Sequence, residues 1–271
     1  MIQQASKIIQ EASAILIGAG SGMCVDSGLP DFRSKEGFWK SYPLYKKLGL
    51  NFRDLANPSV FKTNPRLAWG FYYHRKILYN NTKPHSGFEI LKRWASKIND
   101  NIFIYTSNID GQFQKAGFDE NKIIEIHGNI NRVQCSNNCK KEKLFIPESF
   151  QFDKNTMTVN GHLPFCIECG TIARPNILMF HDSLFDKNIF ISQHHRYNLW
   201  LKSLQHQKLA ILEIGAGSNI PTVRIQCESV ASTKMISNIR INLNECNIDT
   251  TDIGLPIKAL DALQQIDKAI A

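Results

Sequence analysis

Ile15-Leu16-Ile17-Gly18-Ala19-Gly20-Ser21-Gly22-Met23-Cys24-Val25-Asp26-Ser27-Gly28-Leu29-Pro30-Asp31-Phe32-Arg33 reads as an apolar strand that runs into closely spaced glycines and then into a polar loop. Glycines at a strand-to-helix turn let backbone N–H groups come close to a phosphate, and the helix N-terminus favours its negative charge. The stretch therefore points to a dinucleotide held at the end of a parallel sheet. Its spacing, Gly18-x-Gly20-x-Gly22, is not the G-x-G-x-x-G of ordinary dehydrogenases. Standing alone, such a turn is often only a tight connection.

Outward from that strand, the runs at 14–17, 102–106, 209–214 and 240–243 read as buried strands of one parallel sheet. Each runs into a small or polar loop, at 18–22, 107–111, 215–218 and 242–245. Ligands of open α/β sheets bind where such loops gather. Helical patterns occupy 2–12, 87–98, 197–205 and 257–270. Two segments stand outside the sheet. Residues 35–84 carry Phe38, Trp39, Tyr42, Tyr45, Phe52, Phe61, Trp69, Phe71, Tyr72 and Tyr73 with helical periodicity, and residues 132–178 carry a cysteine cluster. The expected fold class is α/β: a Rossmann-like parallel sheet with helices on both faces (1–34, 85–131 and 179–271) and a smaller domain. The smaller domain joins a helical module (35–84) to a zinc module (132–178).

The 271 residues are 43% apolar and 21% charged, ordinary for an enzyme able to bury a full core. The formal net charge of +8 is spread along the chain, with short groups such as Lys46-Lys47 and Lys140-Lys141, so it reads as solvated surface rather than a nucleic-acid footprint. No apolar run approaches the ~18–20 residues of a membrane span, and residues 1–11 do not form a signal peptide, so a cytoplasmic location is expected. Of the seven cysteines, Cys135-x-x-x-Cys139 and Cys166-x-x-Cys169 form two close pairs that suit a four-thiolate zinc site. With every coordination position filled by sulfur, that zinc is structural. Redox-active thiols are the competing reading. Cys24, Cys227 and Cys246 read as single apolar fillers.

Five further loops follow in order. They are Thr106-Ser107-Asn108-Ile109-Asp110-Gly111, Glu125-Ile126-His127-Gly128-Asn129, Ala173-Arg174-Pro175-Asn176-Ile177-Leu178-Met179-Phe180-His181-Asp182, and the pair Gly215-Ala216-Gly217-Ser218 with Asn242-Leu243-Asn244. Each alone is an ordinary turn. Together, and in this order, they resemble the sirtuins, the NAD-dependent protein deacylases, over nearly the whole chain. The family's opening Gly-Ala-Gly falls on Gly20, Ser21 and Gly22, and its Asp-Phe-Arg on Asp31, Phe32 and Arg33. The resemblance implies NAD as co-substrate, bound by these residues with Ser107, Asn108 and Asp110. Gly215, Ala216, Gly217, Asn242 and Asn244 would hold the phosphates and the adenine ribose. His127 stands where the family has its general base, and its side chain suits proton removal near neutral pH. Ile177 and Phe180 fall in the segment that pairs, strand-like, with an acyl-lysine peptide. Ser107 replaces the family's Gln, and Ser21, Cys24, Asn176, His181 and Asp182 also depart from it.

Ala56, Tyr72 and Arg75 refine the resemblance toward the sirtuins that remove succinyl and malonyl groups. Tyr72 and Arg75 are three apart on a helical pattern and share a face. A phenol and a guanidinium fork there hold a carboxylate at the end of an acyl chain. The plainer reading makes Tyr72 one more core aromatic and Arg75 a surface cation. The resemblance implies that the acyl oxygen displaces nicotinamide while Phe32 shields the site. His127 then activates a ribose hydroxyl, and O-acyl-ADP-ribose and lysine leave. Expected partners are acyl-lysine proteins or peptides, with neither membrane nor nucleic acid. Three alternatives stay open: NAD cleavage or ADP-ribosyl transfer on the same fold, a non-catalytic NAD-binding regulator, and a zinc-ribbon nucleic-acid binder.

Overall fold

A computed structural model of the chain describes residues 1–30, 35–139, 144–205, 207–234, 236–247 and 252–270. Helix α1 (Ile2–Glu11) leads into β1 (Ala14–Ala19), every residue of which is buried. Burial on both faces is why that strand is a continuous apolar run rather than an alternating one. The short helix α2 (Gly22–Val25) follows. Next come α3 (Lys35–Ser41), α4 (Pro43–Lys47), α5 (Phe52–Leu55), α6 (Pro58–Thr63) and α7 (Pro65–Asn81). Proline opens α4, α6 and α7, where the missing N–H has no helical partner to lose. Asn57 and Asn64 cap α6 and α7 through their side chains. The aromatic segment is thus helical, as its periodicity predicts.

Helix α8 (Ser86–Lys97), β2 (Ile102–Thr106), α9 (Gln112–Lys115) and β3 (Ile123–Glu125) return to the sheet. The cysteine segment then builds β4 (Gly128–Cys135), β5 (Leu144–Phe145), β6 (Gln151–Asp153), β7 (Thr158–Asn160), β8 (Phe165–Cys166) and β9 (Ala173–Ile177), paired as antiparallel two-stranded ladders. The chain closes through α10 (Asn188–Ser203), β10 (Leu209–Ile214), α11 (Thr222–Lys234), β11 (Asn238–Ile241), β12 (Ile253–Leu255) and α12 (Ala259–Ile270).

The six-stranded sheet is parallel throughout, in the order β12-β11-β10-β1-β2-β3. β11, β10, β1 and β2 are therefore neighbours, and the loops at their carboxyl ends gather at one edge. Residues of α1, α8 and α12 (Ile9, Phe88, Leu91, Leu263, Ile266) pack with Ile15 and Ile17 on one face. Tyr197 of α10 and Val223 and Cys227 of α11 pack with Leu16, Phe103 and Ile211 on the other. No helix among the described residues is long and apolar enough to cross a membrane.

Three differences from the sequence reading have physical causes. β11 starts at Asn238 and ends at Ile241 rather than covering 240–243. Its polar residues are buried because Glu213 on β10 accepts from Asn238 Nδ2 at 3.2 Å and from Arg240 Nε at 2.7 Å. α10 begins at Asn188, well before the expected 197. α11 had no counterpart in the reading: its buried residues, Val223, Cys227, Val230 and Ala231, are small or β-branched, and Ile225 is exposed among its polar residues, which blurs the helical period.

Candidate active site

Two glycine-bearing loops cross at the carboxyl edge of the sheet. Gly20 N donates to Ile214 O at 2.9 Å and Gly22 N to Gly215 O at 3.0 Å. A Cβ on Gly20 would lie 2.4 Å from Gly215 O and 2.6 Å from Ala216 Cα, and one on Gly22 would lie 2.6 Å from Gly215 Cα. These contacts are backbone to backbone and have nowhere to give. The spacing Gly20-x-Gly22 is therefore set by the crossing with the loop after β10 as well as by access to an anion. Gly18 has a separate reason: a Cβ there would meet Cys227 Sγ of α11 at 2.2 Å.

The loop after β2 locks onto this crossing. Thr106 Oγ1 donates to Ala19 O at 3.0 Å and accepts from Asn108 N, while Asn108 Nδ2 donates to Gly20 O at 2.9 Å and to Cys24 Sγ at 3.4 Å. Cys24 is 2% exposed, and burial, followed by the neighbouring Asp110 carboxylate, pushes its thiol pKa up. It is an unreactive thiol. Burial likewise raises the Asp110 carboxyl above the usual carboxylate range, although Gln112 N donates to it at 2.9 Å.

His127 lies between β3 and β4, and its Nδ1 is 3.2 Å from the carbonyl of Ser107. A carbonyl only accepts, so this contact places the proton on Nδ1 and leaves Nε2 as the basic nitrogen. Ser107 contributes its backbone carbonyl to this contact. Glu125, ahead of His127, is buried and paired with Arg132 at 2.7 Å, and it also accepts from Gln114 and Asn129. That network braces the turn from behind. Gly128 takes φ +78°, where a Cβ would sit 2.0 Å from Asn176 O, so the close approach of β4 to β9 requires glycine there.

These groups face a cavity of about 270 Å³. Ser21, Ser107, Asn108, Asp110 and His127 form its polar end, and Ala56, Tyr72, Arg75, Ile177 and Phe180 line it further out. The sequence reading named all ten. Cys24, Leu29, Phe52, Tyr79, Ile109, Met179 and Ile220 also wall it and had not been singled out as site residues. Phe180 N donates to Ala56 O at 2.9 Å, which closes the wall between α5 and the turn after β9. Asp31, Phe32 and Arg33 lie outside the described residues.

A second cavity of about 440 Å³ shares Ser21 with the first and is lined by Gly22, Gly215, Gly217, Asn242, Asn244 and Glu245. Gly20 and Ala216 contribute to the crossing itself rather than to either wall. Asn242 Nδ2 donates to Ala216 O at 2.9 Å, while its Oδ1 accepts from Asn244 N at 3.1 Å and Glu245 N at 3.0 Å. This one side chain ties together the two loops expected to hold a nucleoside. Glu245, missed in the sequence reading, accepts from Ser218 N at 2.6 Å. The two cavities share Ser21 and Ile220.

Away from the cavities, Cys135, Cys139, Cys166 and Cys169 bring their sulfurs within 4.8 Å of one another. The Cys135–Cys139 and Cys135–Cys169 separations are 3.6 and 3.5 Å. Tetrahedral zinc with bonds of ~2.3 Å requires sulfurs roughly 3.8 Å apart. The cluster fits one structural zinc, which would tie the ends of β4 and β8 together. Cys227 is a fully buried filler, as expected, whereas Cys246 is only half-buried. His194 and His195 are exposed on α10.

The sequence model described as the Sir2 family matches residues 20–201. An NAD-dependent protein deacylase of Pyrococcus furiosus is 31% identical over 189 residues, covering 70% of this chain and 69% of that protein. An NAD-dependent protein deacylase of Leptospira interrogans is 29% identical over 264 residues, covering 96% and 93%. The solved structure of a Sir2 homologue in complex with NAD superposes with a TM-score of 0.69 at 21% identity, covering 99% of this chain and 94% of that one. At that identity the likeness is one of fold.

Proposed function

The chain belongs to the Sir2 family, and we propose that it is an NAD-dependent protein-lysine deacylase whose acyl cavity favours acyl groups ending in a carboxylate, succinyl and malonyl above acetyl. The observation that carries the finer reading is the hydroxyl of Tyr72. Its ring is 1% exposed and stacks on Phe61 with centroids 5.9 Å apart, as a core aromatic would. The residue nevertheless lines the cavity, and its hydroxyl has no hydrogen-bond partner among the described residues. One turn on, Arg75 is 5% exposed and lines the same wall. A buried guanidinium and a phenol set among Phe52, Ala56, Ile177 and Phe180 match a ligand that is apolar along its length and anionic at its end. An acetyl group would bring neither of them an anionic partner.

When bound, NAD supplies the ribose carbon that takes up the acyl oxygen as nicotinamide leaves. The chain's own residues do the rest. Asn108, fixed on Gly20 O, holds the polar end of the cavity in one geometry. His127 Nε2 takes up a proton, with Nδ1 anchored on Ser107 O so that the ring does not need to reorient. Leu29, Ile109, Ile177, Met179 and Phe180 keep water from the reacting centre.

The test uses one peptide sequence carrying acetyl-, succinyl- or malonyl-lysine, with NAD, on the wild type and on Tyr72→Phe and Arg75→Gln. Tyr72→Phe should lower kcat/KM on succinyl-lysine about tenfold and Arg75→Gln by about a hundredfold, the scale of hydrogen bonds to a charged group. Equal losses on acetyl-lysine would sink the carboxylate reading. Rapid nicotinamide release without peptide would favour NAD cleavage instead.

A further inference from the structure

Helix α7 brings a third polar side chain to the wall that holds Tyr72 and Arg75. Tyr79 lies one turn beyond Arg75 and is 4% exposed. Its phenol oxygen accepts from Arg75 Nε at 3.0 Å and from Nη2 at 2.5 Å. One oxygen bonded to both nitrogens occupies an edge of the guanidinium fork. The Tyr79 ring also lies 5.4 Å from Arg75 Cζ, with the rings of Phe52 and Phe71 at 5.5 and 5.3 Å. A bridging oxygen and three rings leave the guanidinium plane little freedom to turn.

We propose that Tyr79 is a positioning residue for acyl recognition: its phenol fixes the plane of Arg75 so that the cavity tells a carboxylate from a neutral group of the same size. This rests on the carboxylate reading of the cavity. Two arguments support it. An arginine side chain has many rotamers, and a fork already held in one plane loses less freedom on meeting its ligand. In addition, burial holds the Tyr79 phenol protonated. A neutral phenol accepts from Nε and Nη2 without cancelling the positive charge, whereas a carboxylate at position 79 would form an ion pair with Arg75 and compete with the ligand.

The experiment compares succinyl-lysine with its neutral isostere, succinamoyl-lysine, in one peptide with NAD, for the wild type, Tyr79→Phe and Tyr79→Glu. Tyr79→Phe keeps the ring and removes only the bridging oxygen. The succinyl preference, taken as the ratio of kcat/KM values, should fall about tenfold in Tyr79→Phe through KM, the scale of one hydrogen bond to a charged group. In Tyr79→Glu it should vanish. An unchanged preference in Tyr79→Phe, or equal losses on both peptides, would overturn the proposal while leaving a selective wild type intact. A wild type indifferent to the two peptides would overturn the carboxylate reading, and this proposal with it.

Discussion

Truncating Asp182 to alanine strands a buried arginine. The side chains of Arg174 and Asp182 are both 0% exposed, and Arg174 Nη2 lies 2.8 Å from Asp182 Oδ1. The carboxylate also accepts from Leu184 N at 3.1 Å and Met179 N at 3.3 Å, while Arg174 Nη1 donates to Ile177 O at 3.2 Å. Arg174 Nε has no partner among the described residues, so Asp182 is the main compensation for the charge. Burial already pulls the Arg174 pKa down. Removing one member of a buried ion pair costs ~3–5 kcal/mol, because the other is left uncompensated. We expect Asp182→Ala to destabilise by about 4 kcal/mol and to lower Tm by roughly 8–16 °C. Asp182→Asn, which keeps an acceptor oxygen but not the charge, should fall between. Arg174→Met with Asp182→Leu should recover part of the loss, since apolar groups then replace both charges. Urea melts followed by circular dichroism read all four proteins. The same turn carries Met179 and Phe180 into the cavity wall, so KM for acyl peptides should rise in Asp182→Ala well below its melting temperature. A loss under about 1 kcal/mol would refute the burial argument.

Gly20→Ala should weaken ADP-ribose binding at least tenfold, measured by calorimetry, because the added Cβ meets backbone at 2.4 Å; unchanged affinity would refute the crossing. A pH effect should come from His85, whose Nδ1 accepts from Gly87 N at 3.0 Å and whose Nε2 donates to Met23 O at 2.8 Å. Burial lowers its pKa from 6.5, so below that value the unfolded chain binds more protons and stability falls with pH. Thermal melts from pH 7.5 to 5 should show this decline and a shallower slope in His85→Gln, the remainder including His74, whose pKa burial also lowers; an equal slope in the variant would exclude His85 as a cause. Metal analysis of the purified protein should find one zinc per chain, and a strong chelator should lower Tm without removing ADP-ribose binding at low temperature. A zinc-free protein with an unchanged melt would contradict the structural role of the cysteines.

Strands β1, β2 and β10 were legible as continuous apolar runs because burial on both faces leaves no room for alternation. β12 was not, since three residues at a sheet edge give too short a pattern. β11 was displaced because Asn238 reads as a surface residue, whereas in the fold it is buried and its side chain donates to Glu213 on the neighbouring strand. For the site, motif order brought ten residues to one cavity, most of them in the loops that follow strands of the sheet or on helix α7. Tyr79 was hidden among many aromatics on α7, although it lies four residues beyond Arg75 and so faces it. The backbone role of Ser107 could not be read from its side chain. Nor could the steric reason for Gly20 and Gly22, which belongs to a contact with residues nearly two hundred positions away.

The central claim meets its most direct test in nicotinamide release by the wild-type protein, with NAD and a single peptide left unmodified or carrying acetyl-, succinyl- or malonyl-lysine. We expect release only with the acylated peptides, matched one for one by deacylated peptide, and at least tenfold higher kcat/KM on succinyl- and malonyl-lysine than on acetyl-lysine. Release that is independent of peptide, or equal on all three acyl groups, would contradict it.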